Sequence, residues 1–598
     1  MSRQLLKRMT LFVSLVAAFV MVIAACGSSE NTPTPKPTTA PQPSATAAPQ
    51  ASATTAPATA TRPAATATNA PPSATPAPTP TPAPTATQAA QVKTGGVLRA
   101  RDIVAWQNWD SWSLFGGFAL LITENMHSNL MHPKVDDPTV MLPDLATSWS
   151  ASSDGLTYTL KIRPGVKWTD GKDFTAADVV WNFQRGMTPP DPLTTHNLRR
   201  VAVINTITAP DAATVVITLK RASASFAANL GGASMLMYAP QGPAPASMEN
   251  VVGTGPFKFS KFDKAAGQLD LVRNPGYYQK DEAGRALPYT DGLSIFTIGD
   301  ATAAKAALTS GKLDCGCEYD HDYVTAAIAD LKKQGIRTYT SLADQFFLEF
   351  NTTKAPFDKL EVRRAFSELL DRRSLAPIPR SQGDAARFPP NFMKPSNLGG
   401  QWGLPESELL QMPGFRDYAA DKADALNLLK TAGIDLASLN IQFLGILNPN
   451  VDPYHTAAEN LLVNAGAKSL TYVQKASGTL QTDLAAKGWN ITMTNGGTGI
   501  DDPDDNFMNF FTGNGPANYA KLDFGIDALA TQEDSTLDPA KRRDIIWTIM
   551  RKLINDATAI PAVYQVDGFA TQANIEGYVP PFLSTGPQFR LERLWINK

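Results

Sequence analysis

Three cysteines in 598 residues cannot build a disulfide framework, so the folded part of this chain must be held by its core. Histidine is nearly as scarce, and the five present (His127, His132, His196, His321 and His455) fall in separate stretches. No G-x-S-x-G elbow, H-E-x-x-H pair or G-x-x-x-x-G-K-[ST] loop occurs, which removes the common signatures of hydrolases, metalloproteases and nucleotide-binding enzymes. Charge of one sign is lacking too: the formal net charge is −2, with no long basic stripe, which argues against nucleic acid as a partner. The apolar run Leu11–Ala25, broken only by Ser14, is too short to span a bilayer comfortably, a task that takes about 20 residues.

That run follows Arg3, Lys7 and Arg8 and ends in small residues before a cysteine, the layout of a secretion signal. Ile23-Ala24-Ala25-Cys26, followed by Gly27-Ser28-Ser29, resembles a bacterial lipobox. The resemblance implies a lipoprotein signal peptide over 1–26, with Cys26 lipidated as the mature N-terminus; an uncleaved signal anchor is the other reading. Several acyl chains, at about 0.8 kcal/mol per buried methylene, give stable anchoring. From Asn31 to Ala90, fifty of sixty residues are Ala, Thr or Pro, and the only charges are Lys36 and Arg62. Such a segment buries too little to offset the entropy of ordering, so 27–91 is expected to be a disordered, semi-extended tether. Its Ser and Thr content suits O-glycans.

The remaining stretch, Val92–Lys598, holds roughly 500 residues, more than one core usually accommodates, so two or more lobes are expected. Gly95–Ala100 reads as its first strand. Trp106, Trp109 and Trp112 then place three indoles in seven residues beside Asn108 and Asp110; they are either a stacking platform for a ligand or a core-facing turn. Further on, the strand Ile491-Thr492-Met493 runs through a Gly-rich turn into Asp501, Asp502, Asp504 and Asp505. Pro503 inside that run is expected to bar both ladder and helix, and Phe507, Phe510 and Phe511 follow at helical spacing. The carboxylates either sit at the mouth of a pocket or form a solvated acidic loop. Paired carboxylates can also do glycosidase-type acid/base work, and the tryptophans would suit a sugar, but adjacent loop aspartates are usually solvated.

Punctuation along the body gives a register. Leu142-Pro143-Asp144-Leu145-Ala146-Thr147-Ser148-Trp149 precedes Asp154-Gly155, a hairpin signal with strand alternation after it. Asp170-Gly171 then leads to Thr175, an N-cap before the helical Ala176-Ala177-Asp178-Val179-Val180-Trp181. Gly253-Thr254-Gly255-Pro256-Phe257, Asn274-Pro275-Gly276-Tyr277-Tyr278, Ser310-Gly311-Lys312-Leu313-Asp314 and Phe347–Asp358 follow in order. A helix over Arg542–Ala557 and a strand over Ile560–Tyr564 close the chain. From about Gly95 to Lys598 this order resembles the family 5 solute-binding proteins of ABC importers, the peptide- and nickel-binding class.

The resemblance implies an α/β fold of the bilobal periplasmic-binding-protein kind (type II, large three-subdomain form), with the ligand cleft between the lobes. Lobe I would comprise 92–137, 250–335 and 520–598, a subdomain over 138–249 would pack on it, and lobe II would be 336–519. In peptide-binding members the first aspartate of a D-Y-P-D-P-like turn holds the ligand's α-amino group, a role that falls here to Asp501. The family's second, often aromatic, position is Asp502, its closing proline is Asp505, and Asn495-Gly496-Gly497 stands where members often carry Gly-Trp. Tyr319, Asn495, Asp502 and one of Phe346 and Phe347 (Phe347 above all) are further candidate contacts, with both phenylalanines in the core as the alternative. Cys315-Gly316-Cys317, near His321 and carboxylates, is read as a strained disulfide or two packed thiols rather than a soft-metal site.

The function implied is that of an extracytoplasmic, lipid-anchored, monomeric receptor. It would capture a small solute, a peptide or amine-bearing compound first, and deliver it to an ABC permease, with no catalysis, cofactor or metal. An oligosaccharide ligand is the alternative that the tryptophans, together with the missing Gly-Trp, favour. A tethered adhesive or structural surface protein is the alternative of a different class.

Overall fold

Both Asp-Gly pairs fold as turns because glycine alone enters the left-handed region without strain. Gly155 has φ +69° and donates its N–H to the Ser152 carbonyl at 2.9 Å, while Asp154 Oδ1 accepts from the Leu156 amide at 3.0 Å. The turn feeds Thr157–Ile162 into a four-stranded antiparallel sheet ordered Ala146–Ala151, Thr157–Ile162, Thr214–Leu219, Ile204–Asp211. Gly171, φ +91°, leads into the helix Ala176–Met187, where Asp178 Oδ2 accepts from the Thr175 amide at 2.8 Å and quiets an orphan donor. The helix lays Ala176, Val179 and Phe183 on this sheet, in a core that also holds Trp112, Trp168 and Phe226.

The computed structural model describes residues 91–103, 106, 108–112, 120–188, 200–320, 326–375, 389–396, 400–447, 452–496, 500–581 and 589–598. Side chains are described for all of these except 317–320, 326–327, 342–344, 477–478 and 495. The signal, Cys26, the tether to residue 90 and His321 lie outside the described residues. Among the described residues no helix is long and apolar enough to cross a membrane.

A ten-stranded mixed sheet forms the frame. Its order is Leu470–Lys475, Ile441–Ile446, Ile491–Gly496, Arg337–Phe350, Ala559–Thr571, Cys315–Asp320, Val97–Asp102, Gly292–Thr297, Gln268–Arg273 and Phe257–Asp263. The two long central strands, Arg337–Phe350 and Ala559–Thr571, run antiparallel with register shifts between Leu342 and Gln345 and at Phe346/Phe347. They pass from one core to another: Phe346–Phe350 and Ala559–Val563 pack in a large core that extends to Phe511, whereas Phe569 joins a core around Leu98, Trp109 and Leu271. The strand expected over Ile560–Tyr564 is therefore longer than its apolar signature, and it is buried throughout its length. The last helix begins at Pro539 rather than Arg542, because Asp538 caps it by accepting from the Lys541 amide at 2.9 Å. At Gly253-Thr254-Gly255 a side chain has no room: a Cβ on Gly253 would meet the Met126 carbonyl oxygen at 1.9 Å.

Candidate functional site

Pro503 starts a helix instead of barring one. It occupies the first position of the short turn Pro503–Asn506, where its missing N–H costs nothing, and Asp502 caps that turn by accepting from the Asp504 amide at 2.9 Å. A wider π-type turn, Phe507–Phe511, follows and sinks Phe507 and Phe511 into the large core. The solvated-loop alternative is excluded by burial, since Asp502, Asp504 and Asp505 are 4%, 6% and 1% exposed.

Buried carboxylates need partners. Asp502 receives both Nη atoms of Arg542, at 2.8 and 2.7 Å, while Arg542 Nε donates to Glu533 Oε2 at 2.8 Å. The Arg542 guanidinium also lies 5.0 Å from the centre of the Trp402 ring. Asp505 Oδ1 accepts from Arg200 Nη2 at 2.8 Å, and Asn509 Nδ2 donates to the Asp505 carbonyl at 2.6 Å. Asp501 differs. Its carbonyl accepts from the Trp402 indole at 3.2 Å, but its carboxylate Oδ2 is shut off from solvent with no hydrogen-bond partner among the described residues. Burial pushes the Asp501 carboxyl up to about 6, with Lys394 opposing the rise and Asp502 adding to it. Burial likewise raises Glu533 well above the usual carboxylate range, against the pull of Arg542. The turn thus holds one enclosed carboxylate oxygen without a hydrogen-bond partner among the described residues, backed by further buried negative charge.

The family described as bacterial extracellular solute-binding proteins, family 5 Middle, matches residues 140–518, a span that includes this turn. A di/tripeptide-binding protein of Pseudomonas aeruginosa is 30% identical over 451 residues, covering 68% of this chain and 77% of that protein. The chain belongs to family 5. A heme-binding protein of Haemophilus influenzae is 29% identical over 49% of this chain, a match that spans only 53% of that relative. The fold agrees with solved structures. The periplasmic binding protein DppA of Helicobacter pylori, solved with the peptide STSA, superposes with TM-score 0.68 at 21% identity, covering 85% of this chain and 99% of that one. The substrate-binding protein CtaP of Listeria monocytogenes gives TM-score 0.70 at 21% identity, over 85% of this chain and 100% of that one. The α/β, bilobal binding-protein architecture expected from the sequence is the one this extracellular solute-binding protein adopts.

The other candidates in this family 5 protein fare differently from Asp501. Asp502, expected as a second ligand contact, has both carboxylate oxygens engaged by Arg542. The three indoles do not form an open platform. Trp109 and Trp112 are 0% and 2% exposed, so neither offers an open ring face. Trp106 donates to Asp102 Oδ2 at 2.6 Å and packs with Trp109 and Phe262; the Trp112 indole donates to the Leu236 carbonyl at 2.7 Å. Trp106 and Trp112 have their N–H groups satisfied; the Trp109 N–H has no partner among the described residues, a cost that the large apolar area of its fully buried ring offsets. Phe347 is also core: it stacks on Phe392 at 5.3 Å and meets Phe511 edge-on at 5.1 Å, so it does not wall a cleft. Tyr319 and Asn495 lie on strands Cys315–Asp320 and Ile491–Gly496, with side chains outside the described residues. Cys315 is disulfide-bonded, and the side chains of the other two cysteines also lie outside the described residues.

Sequence reasoning missed Arg542, Glu533, Trp402, Lys394 and Arg200. Arg542 sits on a helix whose amphipathic pattern was legible, but only the tertiary fold brings it to a turn 40 residues away. Lys394 and Trp402 belong to a loop region with no periodic signal at all.

Proposed function

We propose that this protein captures a peptide or other amine-bearing solute, seating the cationic amine on Asp501, and delivers it to an ABC permease. The observation that carries the reading is the enclosed Oδ2 of Asp501, which has no hydrogen-bond partner among the described residues and sits amid an excess of buried carboxylates. A charge-assisted hydrogen bond from an ammonium satisfies such a group where a neutral sugar hydroxyl does so less well. Relatives solved with peptides support the same ligand class. The enclosed indoles weaken one of the two features that favoured an oligosaccharide, the other being the missing Gly-Trp.

Capture works by closure of two lobes about the long central strands, with ligand shifting the open–closed equilibrium by its preference for the closed state. The first lobe takes in 92–137 and 250–335 with the subdomain 138–249 on it, and the second begins at 336. The packing of Leu522–Val563 with Phe346–Phe511 supports ending the second lobe after Val563 rather than at 519. Two ion pairs join the subdomain to this second core: Arg200 with Asp505 at 2.8 Å and Arg221 with Asp534 at 2.5 Å. They act as a latch. Arg200→Gln combined with Arg221→Gln is expected to raise the ligand dissociation rate on the order of tenfold, with association changed little, as surface plasmon resonance will show. An unchanged dissociation rate removes the latch. Anchoring through Cys26 on the 27–91 tether keeps the monomeric receptor at the outer face of the membrane.

A thermal-shift screen of the purified protein against peptides, their N-acetylated counterparts and oligosaccharides tests the ligand class. A ligand at about 100 times its Kd adds about 2.7 kcal/mol of stability. Free peptides are expected to stabilise and acetylated ones not; stabilisation by sugars alone contradicts the reading.

A further inference from the structure

Arg542 contacts both the residue that follows Asp501 in the chain and the indole bonded to the Asp501 carbonyl. It makes three charge-assisted hydrogen bonds, two to Asp502 and one to Glu533, and its guanidinium lies against Trp402. Trp402 in turn donates its indole N–H to the Asp501 carbonyl at 3.2 Å. Five residues further along the helix that carries Arg542, Trp547 donates its indole N–H to the Trp402 carbonyl at 2.9 Å. The residue after Asp501 in the chain and the side chain hydrogen-bonded to its backbone are therefore both fastened to one helix, Pro539–Asn555. We propose that Arg542 is the positioning residue of the amine site, fixing the orientation of Asp501 and compensating the negative charge beside it.

The chemistry favours a guanidinium over an ammonium. Only a planar fork can grip Asp502 with two nitrogens, reach Glu533 with a third and stack on an indole at the same time. The charge balance points the same way. Asp502 and Glu533 share one guanidinium, so the triad carries an excess of one negative charge when both are ionised. Asp501 adds another, while Lys394 supplies an opposing positive charge. Asp504, which adds to the negative field at Glu533, and the Arg200–Asp505 pair complete the charges around the turn. Removing Arg542 leaves Asp502 and Glu533 uncompensated and turns the local field against ionised Asp501. The inference rests on the reading of Asp501 as the amine site, and its test keeps the two apart.

The test uses the full chain as wild type, Arg542→Lys, Arg542→Gln and Trp402→Phe, with Ala-Ala-Ala as probe and its N-acetyl form as control, by calorimetry from pH 5 to 8. Wild-type affinity is expected to fall as pH drops through about 6, the value to which Asp501 is raised. Arg542→Gln is expected to weaken binding at least tenfold at pH 7 and to move that acid midpoint upward. Arg542→Lys keeps the midpoint near wild type yet does not restore full affinity, because charge returns without the fork. Trp402→Phe weakens binding and leaves the midpoint in place. Weakening by Arg542→Gln that is uniform across pH, or full recovery by lysine, overturns the assignment. The Asp501 carboxyl titration, followed by NMR in ligand-free wild type and Arg542→Lys and Arg542→Gln, reads the same charge compensation without any ligand. An Asp501 midpoint that is identical in wild type and Arg542→Gln contradicts the proposal even if Ala-Ala-Ala proves not to be a ligand.

Discussion

Asp501→Asn is expected to weaken binding of an amine-bearing ligand by about 2–5 kcal/mol, the usual cost of truncating one partner of a buried, hydrogen-bonded charge pair. That loss corresponds to roughly 30-fold at the low end and several thousandfold at the high end. The same substitution is expected to stabilise the ligand-free protein at neutral pH. In the folded chain the Asp501 carboxyl is raised to about 6, against an ordinary value of 3.8. The fold therefore prefers the protonated form, and its stability declines as pH rises from near 3.8 through about 6. Above that window the wild type bears the cost of a desolvated carboxylate that Lys394 only partly offsets, on the order of 2–3 kcal/mol, which asparagine does not carry. Scanning calorimetry is expected to show the variant melting above wild type at pH 7.5 and level with it near pH 4. Loss of binding joined to loss of stability at pH 7.5 contradicts this, because it makes Asp501 a structural residue.

Asp144→Ala is expected to cost about 3–5 kcal/mol of folding stability, the penalty for leaving a buried charge without its partner. Asp144 is fully enclosed. One carboxylate oxygen accepts from the Tyr278 hydroxyl and from Gln279 Nε2 at 2.7 Å; the other accepts from Arg590 at 2.5 Å and from the Asn129 amide at 3.1 Å. Removing it strands Arg590, itself buried at this junction, and unfastens three segments far apart in the chain. Urea unfolding will measure the loss, and a change below 1 kcal/mol contradicts the assignment of Asp144 as the hub. Arg590→Met in the Asp144→Ala background is expected to recover part of the loss, since the buried guanidinium is then gone; buried Glu592, which Arg590 also opposes, keeps the recovery partial.

The contrast between these residues shows what a sequence alone can reveal. Turns at Asp154-Gly155 and Asp170-Gly171, the cap at Thr175 and the amphipathic helix before Asn555 were legible because each is set by backbone preferences within a few residues. Asp501 was singled out by the resemblance of its turn to a family pattern. The helix starting at Pro503 was not foreseen, because proline breaks a helix only beyond its first turn. Three tryptophans in seven residues announce large apolar area but not its direction; burial against Phe259, Phe262 and Phe183 comes from strands and a helix far along the chain. The part played by Asp502 was equally hidden, since nothing near residue 502 names Arg542 as its partner.

A crystal structure with a peptide that raises the melting temperature tests the central claim most directly. The account predicts the ligand's amine nitrogen about 2.7–2.9 Å from Asp501 Oδ2, the length of a charge-assisted hydrogen bond. A bound peptide whose amine lies elsewhere, with Asp501 Oδ2 still without a partner, contradicts it.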